Sequence, residues 1–229
     1  MDNNHKQEEK KIIKRLNTAG FCVIIILAIA IQPIFAQDDA MQFGMKVGLN
    51  LANFSFDVDD PPFYDTGSAV KFGAGGIMLY PLSEILSLQV ELMYLLKGAE
   101  LVEVLDGSDG FKTDAKWNLA YLSVPVLGRY NLGSGDSSPY FVAGPEIGFL
   151  LSAELEIVDR NVTEDVKNSF KSIDIGFNIG AGAPMNIGAT PMFGEVRYSM
   201  GLSNIDDEPE DPGDSIKTSG IQVFVGMMF

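Results

Sequence analysis

The chain has 229 residues, 31 acidic against 16 basic, for a net charge of −15. That balance excludes a nucleic-acid partner, because no surplus of cations is present to replace phosphate counterions. The only histidine, His5, and the only cysteine, Cys22, both precede residue 37. Residues 37–229 therefore hold no disulfide, thiol nucleophile, histidine triad or His/Cys metal site.

In chain order, Lys10, Lys11, Lys14 and Arg15 come first, then the uncharged AGFCVIIILAIAI, then IFAQ. A basic segment, a short apolar segment and the small Ala36 form an export signal, with cleavage expected between Ala36 and Gln37. An uncleaved anchor is the competing reading, but a spanning helix wants about 20 apolar residues. Phe21 stands where a lipid-modified Cys22 would need a small residue, so a lipoprotein anchor is not expected. The expected organisation is residues 1–36 as a cleaved signal peptide and 37–229 as one domain. Cleavage removes three acids and five bases, leaving 28 and 11, a charge of −17.

Eight strand-sized runs follow, at 43–52, 69–80, 86–98, 116–132, 139–153, 171–183, 192–204 and 216–229. Glycine recurs inside nearly all of them, β-branched and aromatic residues are frequent, and apolar positions alternate instead of recurring at three and four. Leu86–Leu105 is the most helix-like stretch and is still read as strand. Connections between runs alternate in length, roughly 16, 5, 17, 6, 17, 8 and 11 residues. In an up-and-down antiparallel sheet this places the four long loops at one end and the three short turns at the other.

The long connections carry most of the acid, including Asp57, Asp59, Asp60 and Asp65, Glu103 to Asp114, Glu154 to Asp165, and Asp206 to Asp214. The runs are nearly free of it. Water around the loops and apolar surroundings for the runs, together with an export signal, predict an all-β, eight-stranded antiparallel up-and-down transmembrane barrel of the Gram-negative outer membrane, with short periplasmic turns and long external loops. A secreted soluble barrel also alternates and is the main competitor. With the greasier face outward, the other face carries Lys46, Lys71, Glu91, Lys97, Arg129, Glu146, Asp174, Glu195 and Arg197, about one charge per strand among many glycines. That is too sparse for a surface in water and suits a narrow interior. Glu195 and Arg197 share a strand face, and Arg129 and Glu91 come from neighbouring runs, so both pairs are candidate ion pairs.

The stretches FGMKVGLNLANF, YLSVPVLGRY, PYFVAGPEIGFL, DIGFNIGAGA and GEVRYSMGLSNI, in that order, resemble the small outer-membrane β-barrel proteins often labelled porin-family or PorT-like, of Gram-negative bacteria of the Bacteroidota type. The resemblance covers essentially the whole mature chain. It implies a fold and no shared catalytic site; some relatives serve a secretion apparatus. The last run, with Val225, Met227 and Phe229 on its greasy face, resembles the signal by which the barrel-assembly machinery recognises such chains, and that face is expected to meet outer-membrane lipid.

No catalytic residue and no cofactor are expected. Glu91 and Glu195 could do acid/base work only if neighbouring charge split their pKa values, and balanced interior ions are the simpler reading. Asp57, Asp59, Asp60, Asp206 and Asp207 are weak candidates for a hard cation, without the spacing of a known calcium loop. Trp117 and Tyr198 read as interfacial-belt or lipid-facing aromatics. Three roles stay open: a structural or interaction barrel presenting its loops, an accessory subunit of a secretion or envelope-assembly machine with a protein partner, and a narrow solute channel. Mass spectrometry of protein purified from the outer-membrane fraction is expected to give a chain starting at Gln37; recovery of a chain starting at Met1, or of soluble protein, would refute the export reading.

Overall fold

The computed structural model describes residues 41–57, 64–104, 112–133, 138–157, 162–187, 190–207 and 215–229. The expected leader and cleavage site lie outside them. Eleven strands run in chain order: β1 (Gln42–Asp57), β2 (Tyr64–Gly67), β3 (Ala69–Pro81), β4 (Leu86–Lys97), β5 (Glu100–Val104), β6 (Lys112–Asn131), β7 (Tyr140–Ile157), β8 (Val162–Asp165), β9 (Ile173–Ile187), β10 (Thr190–Gly201) and β11 (Ser215–Met228). A 3-10 turn at Lys167–Ser169 follows β8. Among the described residues no helix is long and apolar enough to cross a membrane.

Eight of these strands, β1, β3, β4, β6, β7, β9, β10 and β11, pair antiparallel with their neighbours. Pairing of β6 with β7 and of β1 with β11 closes the ring, leaving the barrel wall without an edge. The first and last strands register from Gly44 opposite Met228 to Asp57 opposite Ser215, and the Phe229 N–H donates to Phe43 O at 2.9 Å. The helix-like stretch from Leu86 is strand, as its alternation of buried Ser87, Gln89, Glu91, Met93 and Leu95 requires.

The three short strands extend the wall at the long-connection end. β2 pairs with β5, β5 with β6, and β8 with β7. The connections read as long loops are thus partly strand: Glu154, Glu156, Glu164 and Asp165 belong to the β7–β8 hairpin, where Leu155, Ile157 and Val162 maintain the alternation. β4 and β5 are one strand interrupted at Gly98 and Ala99, since both register on β6 with the same offset. Gly98 has φ +135°, and a Cβ there would lie 2.0 Å from Trp117 O. A bulge on β7, where Leu151 is the extra residue opposite the Ala120–Tyr121 step of β6, leaves Leu151 and Ser152 both exposed, so inward parity on β7 passes from even to odd residues beyond it.

Outward positions are apolar. Val47, Leu49, Leu51, Val70, Leu92, Ile179, Val196 and the Ile221, Val223, Val225, Phe229 series are all exposed. Aromatics gather at two levels: Tyr80, Tyr130, Phe141 and Phe229 near the short-turn end, and Phe72, Tyr94, Phe149 and Tyr198 higher up. Phe72 and Tyr80 on β3, like Phe141 and Phe149 on β7, are separated by about 26 Å of strand. A strand tilt of about 40° reduces this to about 20 Å along the barrel axis, near the height of an outer-membrane apolar band.

Gly98→Ala is expected to cost about 2 kcal/mol or more, because alanine is strained at that φ and its Cβ overlaps Trp117 O. Urea unfolding in lipid vesicles, followed by the gel mobility shift of folded barrels, measures it; an unchanged midpoint would contradict the strained β4–β5 junction.

Candidate functional site

The closed wall turns one face of every strand inward. Even residues of β1, β9 and β11 and odd residues of β3, β4, β6 and β10 point to the interior, as do even residues of β7 below its bulge. Lys46, Lys71, Glu91, Lys97, Arg129, Glu146, Asp174, Glu195 and Arg197 are all buried there. Glycines make the room: a Cβ on Gly180 would sit 2.7 Å from Arg197 Cγ, and one on Gly48 2.5 Å from Phe224 Cδ1.

The nearer cluster to the short turns joins four strands. Lys46 Nζ lies 2.7 Å from Glu91 Oε2 and 3.2 Å from Glu195 Oε1. Arg197 Nη1 donates to Glu91 Oε2 at 3.0 Å, while its Nη2 donates to Glu91 Oε1 and lies 2.6 Å from Glu195 Oε1. Gln89 Nε2 donates to Glu91 Oε1 at 2.7 Å and to Glu195 Oε2 at 3.3 Å. The Phe224 ring underlies both cations, 4.2 Å from Lys46 Nζ and 5.6 Å from Arg197 Cζ. Two cations and two carboxylates cancel, which is what makes their burial affordable.

A second cluster lies toward the long connections. Lys97 Nζ is 2.9 Å from both Glu146 Oε1 and Asp174 Oδ2. Glu146 also accepts from Ser123 Oγ at 3.1 Å and Asn178 Nδ2 at 2.8 Å, and Asp174 from Thr218 Oγ1 at 2.8 Å and Ser203 Oγ at 3.2 Å. The Lys97 ammonium sits 5.2 Å from the centroid of the Tyr121 ring.

The remaining two charged residues stand apart. Lys71 donates to Asn118 Oδ1. Arg129 lies with Cζ 3.5 Å from the Tyr140 centroid, and its Nε donates to Asn131 Oδ1 at 3.2 Å. Of the two expected pairs, Glu195 and Arg197 meet. Both Glu91 oxygens are instead engaged by Lys46 and Arg197, because the β4–β6 register sets Arg129 opposite Ser87, four residues along from Glu91.

Above the second cluster the interior turns apolar. Phe54, Ala99, Leu119, Tyr121, Leu150, Ala153, Phe170 and Ile205 form one buried group, with Phe56, Trp117, Val166 and Ile216 against it. Phe170 and Ile205 come from outside the strands. A bridge between Phe170 and Asp206, with the Lys171 N–H donating to Ile205 O at 2.8 Å, ties their two segments together. Trp117 belongs here, edge-on to Phe170 with centroids 5.3 Å apart, and not in an interfacial belt. Its odd number on β6 gives it the same inward parity as Leu119 and Tyr121. Tyr198 is outward and exposed.

Asp59 and Asp60 lie outside the described residues; Asp57 ends β1, and the Asp207 N–H donates to Ser169 O at 3.1 Å. Among the described residues no three His, Cys, Asp or Glu side chains gather as a cation would require. Asn50, Ser87, Gln89, Ser123, Asn178, Ser199, Thr218 and Gln222 complete the buried polar interior among the described residues. Their inward parity is the signal that could have found them, but being uncharged they do not stand out along the runs.

An eight-stranded closed barrel, apolar without and polar within, is the class defined by outer-membrane barrels. The chain belongs to the outer membrane protein beta-barrel domain family, which matches residues 35–207. No curated protein matches it. Similar solved structures include the outer membrane protein OprG of Pseudomonas aeruginosa, at 14% identity and TM-score 0.45, covering 83% of this chain and 96% of that one. Neisserial surface protein A is similar at 13% identity and TM-score 0.43, covering 82% and 97%. Ail, the attachment invasion locus protein of Yersinia pestis, solved with the heparin analogue sucrose octasulfate, is similar at 15% identity and TM-score 0.40, covering 83% and 99%.

Arg197→Ala strips Glu91 and Glu195 of one of their two cations and is expected to cost about 3–5 kcal/mol. Lys46→Met combined with Glu195→Gln removes one charge of each sign and is expected to cost less than Arg197→Ala alone. Urea unfolding in vesicles ranks them, and the reverse order would show that the four ions do not act as a unit.

Proposed function

We propose that this protein is a non-enzymatic outer-membrane barrel with a sealed lumen, serving the envelope through what its long-connection end displays outside the cell. One observation carries the reading: two buried ion clusters and an apolar cap succeed one another along the interior. An eight-stranded barrel has room only for its own side chains, and the ions there satisfy one another instead of lining a wet path.

In this reading residues 1–36 direct export and are removed, and the acidic long-connection end faces outward. The Val225, Met227 and Phe229 face of β11 meets lipid and serves as the mark recognised by the barrel-assembly machinery. The same reading counts the chain among the porin-family, PorT-like barrels of Bacteroidota-type bacteria, which the five stretches named above resemble. A display role fits the extension of β5 to β8 past the ring, with Glu100, Glu154, Glu156, Glu164 and Asp165 on the projecting strands. The short strands β5 and β8 are not among the pairs that close the ring.

Planar-bilayer recording of the purified protein tests the sealed lumen. Silence or rare small openings are expected; a stable conductance of the size of a general porin would overturn it. Arg197→Ala is expected to raise leakage by loosening the nearer cluster, unless loss of the folded barrel intervenes, which the gel mobility shift reveals.

A further inference from the structure

The projecting rim is an open sheet, unlike the wall below it. Five strands stand there in the order β2-β5-β6-β7-β8. Among the described residues β8 pairs with β7 alone, through Glu154 and Asp165, Leu155 and Glu164, Glu156 and Thr163, and Ile157 and Val162. All four residues of β8 are exposed.

The direction of its backbone groups follows from one hydrogen bond. The Val166 N–H donates to Ala153 O at 3.0 Å, so Val166 faces β7. Successive residues of a strand present their N–H and C=O to opposite sides. Val162 and Glu164 therefore also face β7, and the backbone groups of Thr163 and Asp165 point away from it. Thr163 and Asp165 thus offer the donors and acceptors of a sheet edge.

We propose that the outer edge of β8 takes up, as an added strand, an extended segment of a partner protein that alternates lysine or arginine with apolar residues. The proposal rests on the display reading above and names what is bound. Cross-strand partners share a face, so Glu154, Glu156, Asp165 and Thr163 lie on one side of the β7–β8 hairpin and Leu155, Ile157, Val162 and Glu164 on the other. Three carboxylates border the edge on the first side. The nearest strand cation on that face, Lys116, stands across β7 and is held by Glu100 at 3.0 Å. Leu155, Ile157 and Val162 make the second side mainly apolar, with Glu164 among them. A strand with cations on one face and apolar groups on the other complements both, while its main chain bonds to Thr163 and Asp165. A second copy fits poorly, since it would bring Glu164 and Asp165 against their own equivalents. An anionic lipid surface would be repelled.

The test uses the full chain folded in detergent micelles and three fluorescein-labelled peptides, KTKVKTKV, ETEVETEV and KPKVKPKV, with binding read by fluorescence anisotropy. KTKVKTKV is expected to bind and the other two to bind at least about tenfold more weakly, the first for its charge and the second because proline prevents strand pairing. Thr163→Pro, which removes an outward donor without touching the β7 ladder, is expected to weaken KTKVKTKV by about tenfold. Glu156→Gln with Asp165→Asn, which keeps the acceptor used by the Lys167 N–H, is expected to weaken it and flatten its salt dependence. Equal binding of KTKVKTKV and KPKVKPKV, or indifference to Thr163→Pro with the folded gel mobility retained, would overturn the proposal. So would self-association abolished by Thr163→Pro, which would assign the edge to a second copy. These substitutions lie outside the lumen, so conductance tests the sealed-barrel reading separately.

Discussion

The constraint on which the rest of the structure depends is the burial of four ions, Lys46, Glu91, Glu195 and Arg197, inside a ring of eight strands. Each would cost several kcal/mol to bring in alone. Together they are neutral, and Glu91 alone takes contacts from Lys46 on β1, Gln89 on its own strand and Arg197 on β10. Such a cluster forms only when β1, β4 and β10 have their correct relative register and the ring is closed. A slip of one residue on any of them would send its ion toward the apolar exterior. The electrostatics thereby specify the closure that backbone hydrogen bonding alone would leave open to neighbouring registers.

That dependence explains which parts of the molecule are legible along the chain. Period-two alternation is local, so the runs from 43–52 to 216–229 can be recognised one at a time, and the inward parity of Lys46 or Glu195 follows from that of its own strand. Partner choice is not local. Whether Glu91 meets Arg129 or Arg197 depends on offsets between strands, and those are set by the turns and by irregularities such as the bulge at Leu151. The pair on a single strand, Glu195 and Arg197, needs no register and was the one that could be read directly. The strand extensions were obscured for a different reason: their outward residues are acids, and segments such as ELEI and NVTED have the polarity of loops though every second residue still suits a sheet.

The apolar cap shows the other limit of pattern reading. Ile205 stands just before the acidic DDEPED and Phe170 inside the polar KNSFKS, and nothing in their local surroundings marks them as core. They become core because the segments at 169–171 and 205–207 pair with each other and Ile205 hydrogen bonds to Ile216, setting both side chains over Leu119, Tyr121 and Leu150. The interior therefore changes character along its axis, from a small apolar group of Leu127, Tyr140 and Val142 toward the short turns, through the two ion clusters, to the apolar cap at the long-connection end.

An interior filled with ions is not the most stable way to pack a barrel, since well-packed apolar side chains of similar volume often do as well or better. The alternative carries its own penalty, however, in how such a chain reaches its membrane. Replace Lys46, Glu91, Glu195 and Arg197 and their polar neighbours by leucines, and β1, β4 and β10 become runs apolar on both faces. Stretches of that kind approach the continuous apolar length that an inner membrane retains as helix. One or two inward charges interrupt each of these strands before closure, while mutual neutralisation removes most of the cost after it. The same alternation that keeps a single strand from settling in the wrong bilayer thus supplies, once eight strands meet, the network that defines their order.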